Sequence, residues 1–124
     1  MIAGIGIDIV EVGRLQAALE GTKAMEARVF TEEEVSFCRA RKNRYQHLSG
    51  RFAAKEAALK ALGTGWSQGI KWKDVEILSD EAGKPFLRFH GKALEFFEKS
   101  GARQMFVSIT HSAKHAVAVV VLEA

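Results

Sequence analysis

Two carboxylates and one ammonium group stand out as side chains that could do chemistry together. Asp8 ends the run GIGID near the start of the chain, and Glu56 and Lys60 lie four residues apart in GRFAAKEAALKALG. Mg²⁺ is typically held by one or two carboxylates together with phosphate oxygens and water. If Asp8 and Glu56 meet, they form a site for Mg²⁺ and a phosphorylated substrate.

The stretch GRFAAKEAALKALG predicts a long helix over residues 45–62, with Gly63 as its stop signal. On that helix Glu56 shares a face with Phe52 and has Lys60 beside it. Alanines cover much of the remaining surface, so we expect the helix to be central and largely covered. Two interpretations of Glu56 stay open: an ion pair with Lys60 on the helix surface, or a metal ligand or acid/base group.

Residues 2–10 are typical of a buried strand in which isoleucines alternate with small or acidic residues. The alternation places Ile5, Ile7 and Ile9 on one face, and Gly4, Gly6 and Asp8 on the other. Glycines permit close approach to the backbone. The second face therefore either packs tightly on a helix, with Asp8 capping the next helix, or carries Asp8 into a cleft with another acid.

The rest of the sequence predicts an α+β fold in a single domain, residues 1–124. EVGRLQAALE indicates a short helix ended by Gly21, and Thr31 with Glu34 forms a capping box for a helix running toward Arg41. Strands follow at DVEILS and PFLRFH, a helix at GKALEFFEKSG, and strands at QMFVSIT and HAVAVVVLE, the last expected to be buried on both faces. The order β-α-α-α-β-β-α-β-β favours a mostly antiparallel sheet packed on the long helix.

Composition narrows the class of protein. The 124 residues are 48% hydrophobic with a formal net charge of +3, which permits an anionic partner without identifying one. No segment reaches the roughly 20 apolar residues of a membrane span. The N-terminus lacks the basic leader of a signal peptide. A single cysteine, Cys38, excludes an internal disulfide and favours a cytoplasmic location.

Three sequence blocks carry a specific resemblance: GIGIDIVEV, GRFAAKEAALKALGTG and VSITHS, in this order and at these intervals. With them the chain, over residues 2–123, closely resembles the bacterial holo-[acyl-carrier-protein] synthases, the short class of 4′-phosphopantetheinyl transferases. The resemblance implies the 4′-phosphopantetheinyl transferase fold. It also implies transfer of the 4′-phosphopantetheine arm of coenzyme A to a serine of apo-acyl carrier protein, with release of adenosine 3′,5′-bisphosphate, in fatty acid biosynthesis.

The resemblance also implies roles for individual residues. Asp8 and Glu56 would be ligands of Mg²⁺, for which Mn²⁺ often substitutes, and with Lys60 they would form the catalytic set. The expected coenzyme A contacts are Arg51, Lys60, Gly63, His111 and Ser112. Short members of the family are homotrimers with an active site at each subunit interface. The acceptor of the serine proton stays open among Glu56, neutral Lys60 and a metal-bound water.

Acyl carrier proteins are acidic, so the resemblance implies a basic docking face. The candidates for carrier contact are Arg14, Lys23 and Arg28, against the alternative of an ordinary solvated surface. The denser basic cluster of Arg39, Arg41, Lys42 and Arg44 is either a ligand contact or a solvated joint between helices. A further acid near the metal would come from TEEEV, where Glu32, Glu33 and Glu34 are all possible.

Two other functions compete with the transferase. A small basic nucleic-acid-binding domain would use residues 39–44, but such domains interleave basic and aromatic residues on an exposed sheet, and the strands here contain few Lys or Arg. A non-catalytic coenzyme A binder would keep the fold without the chemistry, and the full set of catalytic residues argues against it. We expect no nucleic-acid or membrane partner.

Several residues have no assigned chemistry. Lys55 belongs to the diagnostic KE dipeptide but has no physical role that the sequence explains. His47 matches no motif and is expected to be structural or exposed. Trp66 and Trp72 are expected to serve in packing or in a trimer contact.

Overall fold

The structure is a computed structural model that describes residues 1–124. Strands and helices follow one another in the order β1, α1–α4, β2, β3, α5, β4 and β5, with one turn of 3-10 helix at Trp72–Asp74. The strands are β1 (Ile2–Glu11), β2 (Val75–Ser79), β3 (Pro85–Phe89), β4 (Gln104–His111) and β5 (His115–Glu123). The helices are α1 (Val12–Gly21), α2 (Lys23–Val29), α3 (Glu32–Arg39), α4 (Arg44–Leu62) and α5 (Gly91–Lys99).

All strand pairs are antiparallel and form two sheets. A three-stranded sheet has the order β1-β5-β4, with Asp8 opposite Ala118, and the hairpin β2-β3 is a separate sheet with Val75 opposite Phe89. The predicted α+β fold with an antiparallel sheet on one long helix is confirmed. The sequence did not predict that the middle hairpin would stand apart.

Helix α4 packs across β1 and β5 and forms the centre of the molecule. Gly63 ends it in the left-handed region, at φ 78°, and its N–H donates to the carbonyl of Leu59. The helix alanines are at most 8% exposed: Ala53, Ala54, Ala57, Ala58 and Ala61. The prediction of a central, covered helix is confirmed. No helix of the structure is both long enough and apolar enough to cross a bilayer.

Two glycines of β1 allow this close contact. A Cβ added to Gly4 would lie 2.1 Å from the carbonyl oxygen of Ala61, and one added to Gly6 would lie 1.9 Å from that of Ala57. The backbone of α4 therefore lies directly on β1, and the predicted packing of a helix on this face is confirmed. Asp8 follows on the same face, next to the same helix.

The opposite face of β1 is open, and here the prediction of a buried strand is wrong. Ile5, Ile7 and Ile9 are 66%, 60% and 63% exposed. Along β5, fully buried residues alternate with partly buried ones, so the predicted burial on both faces is only partial within one chain. The reason is that no element of this chain covers the outer face of the three-stranded sheet. We expected neighbouring subunits of a trimer to supply part of that burial.

The short elements between β1 and α4 are partly as predicted. The capping box of Thr31 and Glu34 begins α3, although the helix ends at Arg39 rather than near Arg41. Helix α2 was not predicted. It has seven residues and no side-chain cap at Thr22, so it lacks the signals from which a helix is recognised in sequence.

Candidate active site

A cleft of about 670 Å³ lies where α4 and α1 flank the end of β1. Its lining includes Asp8, Glu56, Lys60 and Arg14. β1 positions Asp8 because alternation along the strand points it toward α4, one step beyond the two packed glycines. The three residues that the sequence singled out for chemistry are thus brought together.

Lys60 joins the helix to the strand across this cleft. Its Nζ donates to Oδ1 of Asp8 over 3.1 Å and to the carbonyl oxygen of Ile7 over 3.0 Å. The ion pair predicted as an alternative, between Lys60 and Glu56, is absent. The alternative in which Asp8 caps the next helix is also wrong. Glu11 is the N-cap residue of α1, and no side chain caps that helix.

Glu56 is half-buried, and burial raises the pKa of its carboxyl group above the ordinary value. The negative charge of Asp8 raises this pKa further, whereas the indole N–H of Trp66 and the ammonium of Lys60 oppose the rise. The two carboxylates are therefore close enough to repel each other. A cation between them would relieve that repulsion.

The donor set fits a hard cation. No group of three or more His, Cys, Asp and Glu side chains is arranged to hold a metal by itself. Zinc sites need at least three such protein ligands. Mg²⁺ instead keeps waters and takes substrate phosphate oxygens beside one or two carboxylates, which is what Asp8 and Glu56 offer.

A third acid does not come from α3. Glu34 is fully buried and bonded elsewhere, and Glu33 borders a different cavity, beside the β2-β3 hairpin. Glu32 also does not line the cleft of Asp8 and Glu56. The additional acid that does line it is Glu11, at the end of β1.

Two of the predicted coenzyme A residues lie in a second cavity of about 240 Å³. Arg51 and His111 line it together with Arg41 and His47, and no carboxylate does. The His47 and His111 rings meet edge to face with centroids 4.9 Å apart. Burial, with His111 and the arginines adding to it, lowers the pKa of His47. The concentration of cationic side chains suits an anionic ligand.

The second cavity is stiffened by an aromatic ring between two guanidinium groups. The guanidinium carbon of Arg41 lies 3.3 Å from the centroid of the Phe37 ring, and that of Arg51 lies 3.9 Å from it. Arg51 is only 4% exposed and donates to the hydroxyl of Ser79 over 3.0 Å. Phe37 was not predicted here, whereas Arg41, four residues after it, belongs to the basic cluster predicted to be either a ligand contact or a solvated joint between helices.

The remaining predicted ligand residues lie outside both cavities. Gly63 ends α4 and lines neither of them. Ser112 belongs to the β4-β5 turn, where its Oγ accepts from the backbone N–H of His115 over 3.2 Å. Within one chain, therefore, Lys60 is the one predicted coenzyme A residue in the cleft of the two carboxylates, and Arg51 and His111 lie in a separate cavity.

Of the three predicted carrier residues, only Arg14 borders the first cleft. Arg14 lines it from α1, and Lys23 and Arg28 are exposed on α2. In the basic cluster of residues 39–44, Arg39 and Arg44 both pair with Glu26, whereas Arg41 lines the second cavity.

The comparisons with known proteins agree on one family. The family model of the 4′-phosphopantetheinyl transferase superfamily matches residues 4–120. The chain is 48% identical over 124 residues to the holo-[acyl-carrier-protein] synthase of Geobacter sp. (strain M21), a match that covers 99% of each chain. It is 47% identical over 125 residues to the enzyme of that name from Halothermothrix orenii, covering 99% of this chain and 98% of the relative.

Solved structures give the same answer. The holo-[acyl-carrier-protein] synthase of Neisseria meningitidis superposes with a TM-score of 0.89 at 33% identity, covering 100% of both chains. The Bacillus anthracis protein of that name, solved in complex with CoA (3′,5′-ADP), superposes with a TM-score of 0.82 at 37% identity, covering 100% of this chain and 98% of that one. Sequence, fold and the paired carboxylates of the cleft thus lead to one conclusion: the chain belongs to the 4′-phosphopantetheinyl transferase superfamily.

Proposed function

We propose that this chain is a Mg²⁺-dependent holo-[acyl-carrier-protein] synthase. It moves the 4′-phosphopantetheine group of coenzyme A to a serine of apo-acyl carrier protein and releases adenosine 3′,5′-bisphosphate. The observation that carries the proposal is the meeting of Asp8, Glu56 and Lys60 in one cleft, in a chain 48% identical to a synthase of this name over 99% of its length.

Asp8 and Glu56 are the proposed ligands of Mg²⁺ or Mn²⁺. Burial is the main cause of the raised pKa of Glu56, and the charge of Asp8 adds to it, so a cation bound between the two carboxylates would be favoured. Asp8 and Glu56 would hold the cation beside the pyrophosphate, where it would supply charge neutralisation. Two carboxylates leave most of its coordination sphere for phosphate oxygens and water.

Lys60 supplies a second positive charge at the same place. Its ammonium group already donates to Asp8 at 3.1 Å, and Lys60 is exposed enough to reach outward to a phosphate. We assign it to the developing charge on the pyrophosphate. Because it also donates to the carbonyl of Ile7, its position is fixed before substrate arrives.

Arg51 and His111 are the proposed ligands of the adenosine end and its 3′-phosphate. The absence of any carboxylate from the second cavity supports an anion there. That cavity and the catalytic cleft are separate within one chain, so we infer that each active site combines the catalytic cleft of one copy with the second cavity of its neighbour. Gly63 and Ser112 remain proposed contacts of coenzyme A, although neither lines a cavity within one chain.

The open face of the three-stranded sheet supports a homotrimer. It carries Ile5, Ile7 and Ile9, all more than half exposed, next to Val117, Val119 and Val121 on β5 and Phe106 on β4. Apolar patches of this kind on a chain usually mark a protein interface. A second and third copy of this chain would bury these side chains and bring the two half-sites together.

The acyl carrier protein is the proposed second substrate, and α1 and α2 are its proposed docking face. Arg14 stands at the cleft, with Lys23 and Arg28 exposed beyond it. An acidic carrier approaching this face is steered toward the two carboxylates that hold the cation. Its serine then meets the pyrophosphate at the mouth of the cleft.

Mass spectrometry of the carrier tests the reaction directly. Apo-acyl carrier protein incubated with this protein, coenzyme A and Mg²⁺ should gain one phosphopantetheine group. The Asp8→Asn and Glu56→Gln variants should give no adduct while keeping the circular dichroism spectrum of the wild type. Wild-type protein that yields no adduct with either Mg²⁺ or Mn²⁺ would show that the proposal is wrong.

A further inference from the structure

Trp66 lies in the turn that leads out of α4 and back toward the catalytic cleft. The turn is held by hydrogen bonds from the Thr64 N–H to the carbonyl of Leu59, at 3.3 Å, and from the Ser67 hydroxyl to the carbonyl of Thr64, at 2.9 Å. Gly65 adopts a positive φ of 60°, which few other residues adopt without strain. The chain reverses after the helix, so a residue ten positions beyond Glu56 comes back beside it.

A stack of three aromatic rings fixes the Trp66 side chain. The Trp66 and Trp72 ring centroids are 3.6 Å apart, and Trp72 stacks on Phe52 with centroids 5.0 Å apart and planes 23° apart. Phe52 lines the catalytic cleft one helical turn before Glu56. The indole of Trp66 is therefore held against the wall of the cleft.

The indole N–H of Trp66 has no satisfied partner. Its Nε1 atom is buried and makes no complete hydrogen bond. This N–H lies close enough to the carboxyl group of Glu56 to lower its pKa. The two groups do not, however, reach full hydrogen-bond geometry. A buried donor without an acceptor is unfavourable, and a hydrogen bond to the carboxylate of Glu56 would remove this cost.

We propose that Trp66 is a positioning residue for Glu56, its indole N–H holding one carboxylate oxygen so that the other faces the cation. The inference rests on the proposed role of Glu56 as a metal ligand. Ligating carboxylates are commonly oriented by a hydrogen-bond donor outside the coordination sphere, and loss of such a donor costs about 10- to 100-fold in metal affinity or activity.

The two tryptophans of the stack provide a matched pair of variants. Trp66→Phe keeps an aromatic ring and removes the N–H beside Glu56, whereas Trp72→Phe removes the other indole of the same stack. Electron paramagnetic resonance of free Mn²⁺ measures metal affinity without turnover. We expect Trp66→Phe to weaken Mn²⁺ binding about tenfold or more and Trp72→Phe to leave it unchanged.

Three results of this titration would overturn the inference. Unchanged Mn²⁺ affinity in Trp66→Phe would show that the N–H does not position Glu56. Equal losses of Mn²⁺ affinity in Trp66→Phe and Trp72→Phe would show that the aromatic stack, and not the N–H, is responsible. In either case, if Glu56→Gln loses Mn²⁺ binding, the proposed metal site would still be supported. Absence of Mn²⁺ binding in the wild type would instead contradict the metal site itself and the role of Trp66 with it.

A spectroscopic measurement on the wild-type fold covers the case in which Trp66→Phe does not fold. The indole N–H resonances of the two tryptophans are separated in a ¹⁵N correlation spectrum and assigned with Trp72→Phe. Glu56→Gln should shift the Trp66 resonance and leave that of Trp72 in place. An unmoved Trp66 resonance would overturn the inference.

Discussion

The ammonium group of Lys55 lies 2.9 Å from a carboxylate oxygen of Glu34, and neither side chain has any exposed surface. Lys55 also donates to the carbonyl oxygens of Trp72 and Val75, and Glu34 accepts the backbone N–H groups of Thr31 and Ile77. The pair therefore ties α3 and α4 to β2. It explains the lysine of the KE dipeptide as a structural residue next to Glu56, the proposed metal ligand.

Replacing Lys55 alone should be strongly destabilising. Lys55→Met leaves the Glu34 carboxylate buried without its counter-charge, and loss of one partner of a buried pair costs about 3–5 kcal/mol. Urea unfolding monitored by circular dichroism measures the change in the free energy of unfolding. The control is Lys92→Met, which breaks an exposed pair with Glu95 and should cost about 0.5 kcal/mol or less. A Lys55→Met variant as stable as this control would contradict the structural role.

This pair also marks the limit of what the sequence could predict. The capping box correctly gave the start of α3 and one function of Glu34, and the alternation in β1 gave the direction of Asp8. These signals are local. The pairing of Glu34 with Lys55 depends on how two helices pack, and no spacing or cap encodes it. The contact of Trp66 with Glu56 was missed for the same reason, since it depends on the path of the turn after α4.

The site was predicted in its residues but not in its arrangement. Asp8, Glu56 and Lys60 were identified from residue type and from the resemblance, and they meet as expected. The sequence could not show that Arg51 and His111 lie in a cavity separate from that cleft. The open face of Ile5, Ile7 and Ile9 was mistaken for a buried one, because an apolar alternating strand looks the same whether its own chain or a neighbour covers it.

Gly6 should tolerate no side chain. Gly6→Ala would place a Cβ 1.9 Å from the carbonyl oxygen of Ala57, so β1 and α4 must separate. Overpacking of this kind typically costs about 1–3 kcal/mol, and contact with rigid backbone places this case at or above the upper end. Thermal unfolding compares it with Gly13→Ala, where the added Cβ meets nothing within 4 Å on helix α1. Equal melting temperatures for the two variants would refute the close contact.

Glu76 should contribute stability that is lost in acid. Burial favours its neutral form, but hydrogen bonds with His90 at 3.0 Å and Thr31 at 2.7 Å outweigh this and lower its pKa below the ordinary 4.5. A carboxyl group whose pKa is lower in the folded state stabilises the fold above its unfolded pKa, and this contribution disappears as the pH falls through the folded value.

Glu76→Gln should therefore lose less stability than the wild type when the pH is lowered below 4.5. Urea unfolding from neutral pH to about pH 3.5 measures, for each protein, how the free energy of unfolding changes with pH. Glu98→Gln, at an exposed position, is the control and should follow the wild type. Parallel curves for wild type and Glu76→Gln would exclude the contribution.

A charge on the outer face of the sheet should separate the copies of the chain. Ile7 is 60% exposed at the middle of β1, so Ile7→Lys should leave the fold of one chain unchanged and oppose burial against a neighbour. Sedimentation should show a trimer for the wild type and a monomer for the variant, with loss of transfer activity. Leu94→Lys, at a 39% exposed apolar position on α5, is the matched control and should stay trimeric. A trimeric Ile7→Lys would show that another surface joins the copies.

Mixing two inactive chains should restore activity if each active site draws on two copies. Glu56→Gln removes a carboxylate from the first cleft, and His111→Asp places a repelling charge in the second cavity, which is a separate cavity in the same chain. Co-expression in equal amounts gives about a quarter of the sites two intact halves, since each half is intact in one chain of two. Transfer measured by mass spectrometry of the carrier should rise toward that fraction in the mixture and stay absent with either variant alone. A mixture that remains inactive, although sedimentation shows that the two chains assemble together, would place both halves of the site within a single chain.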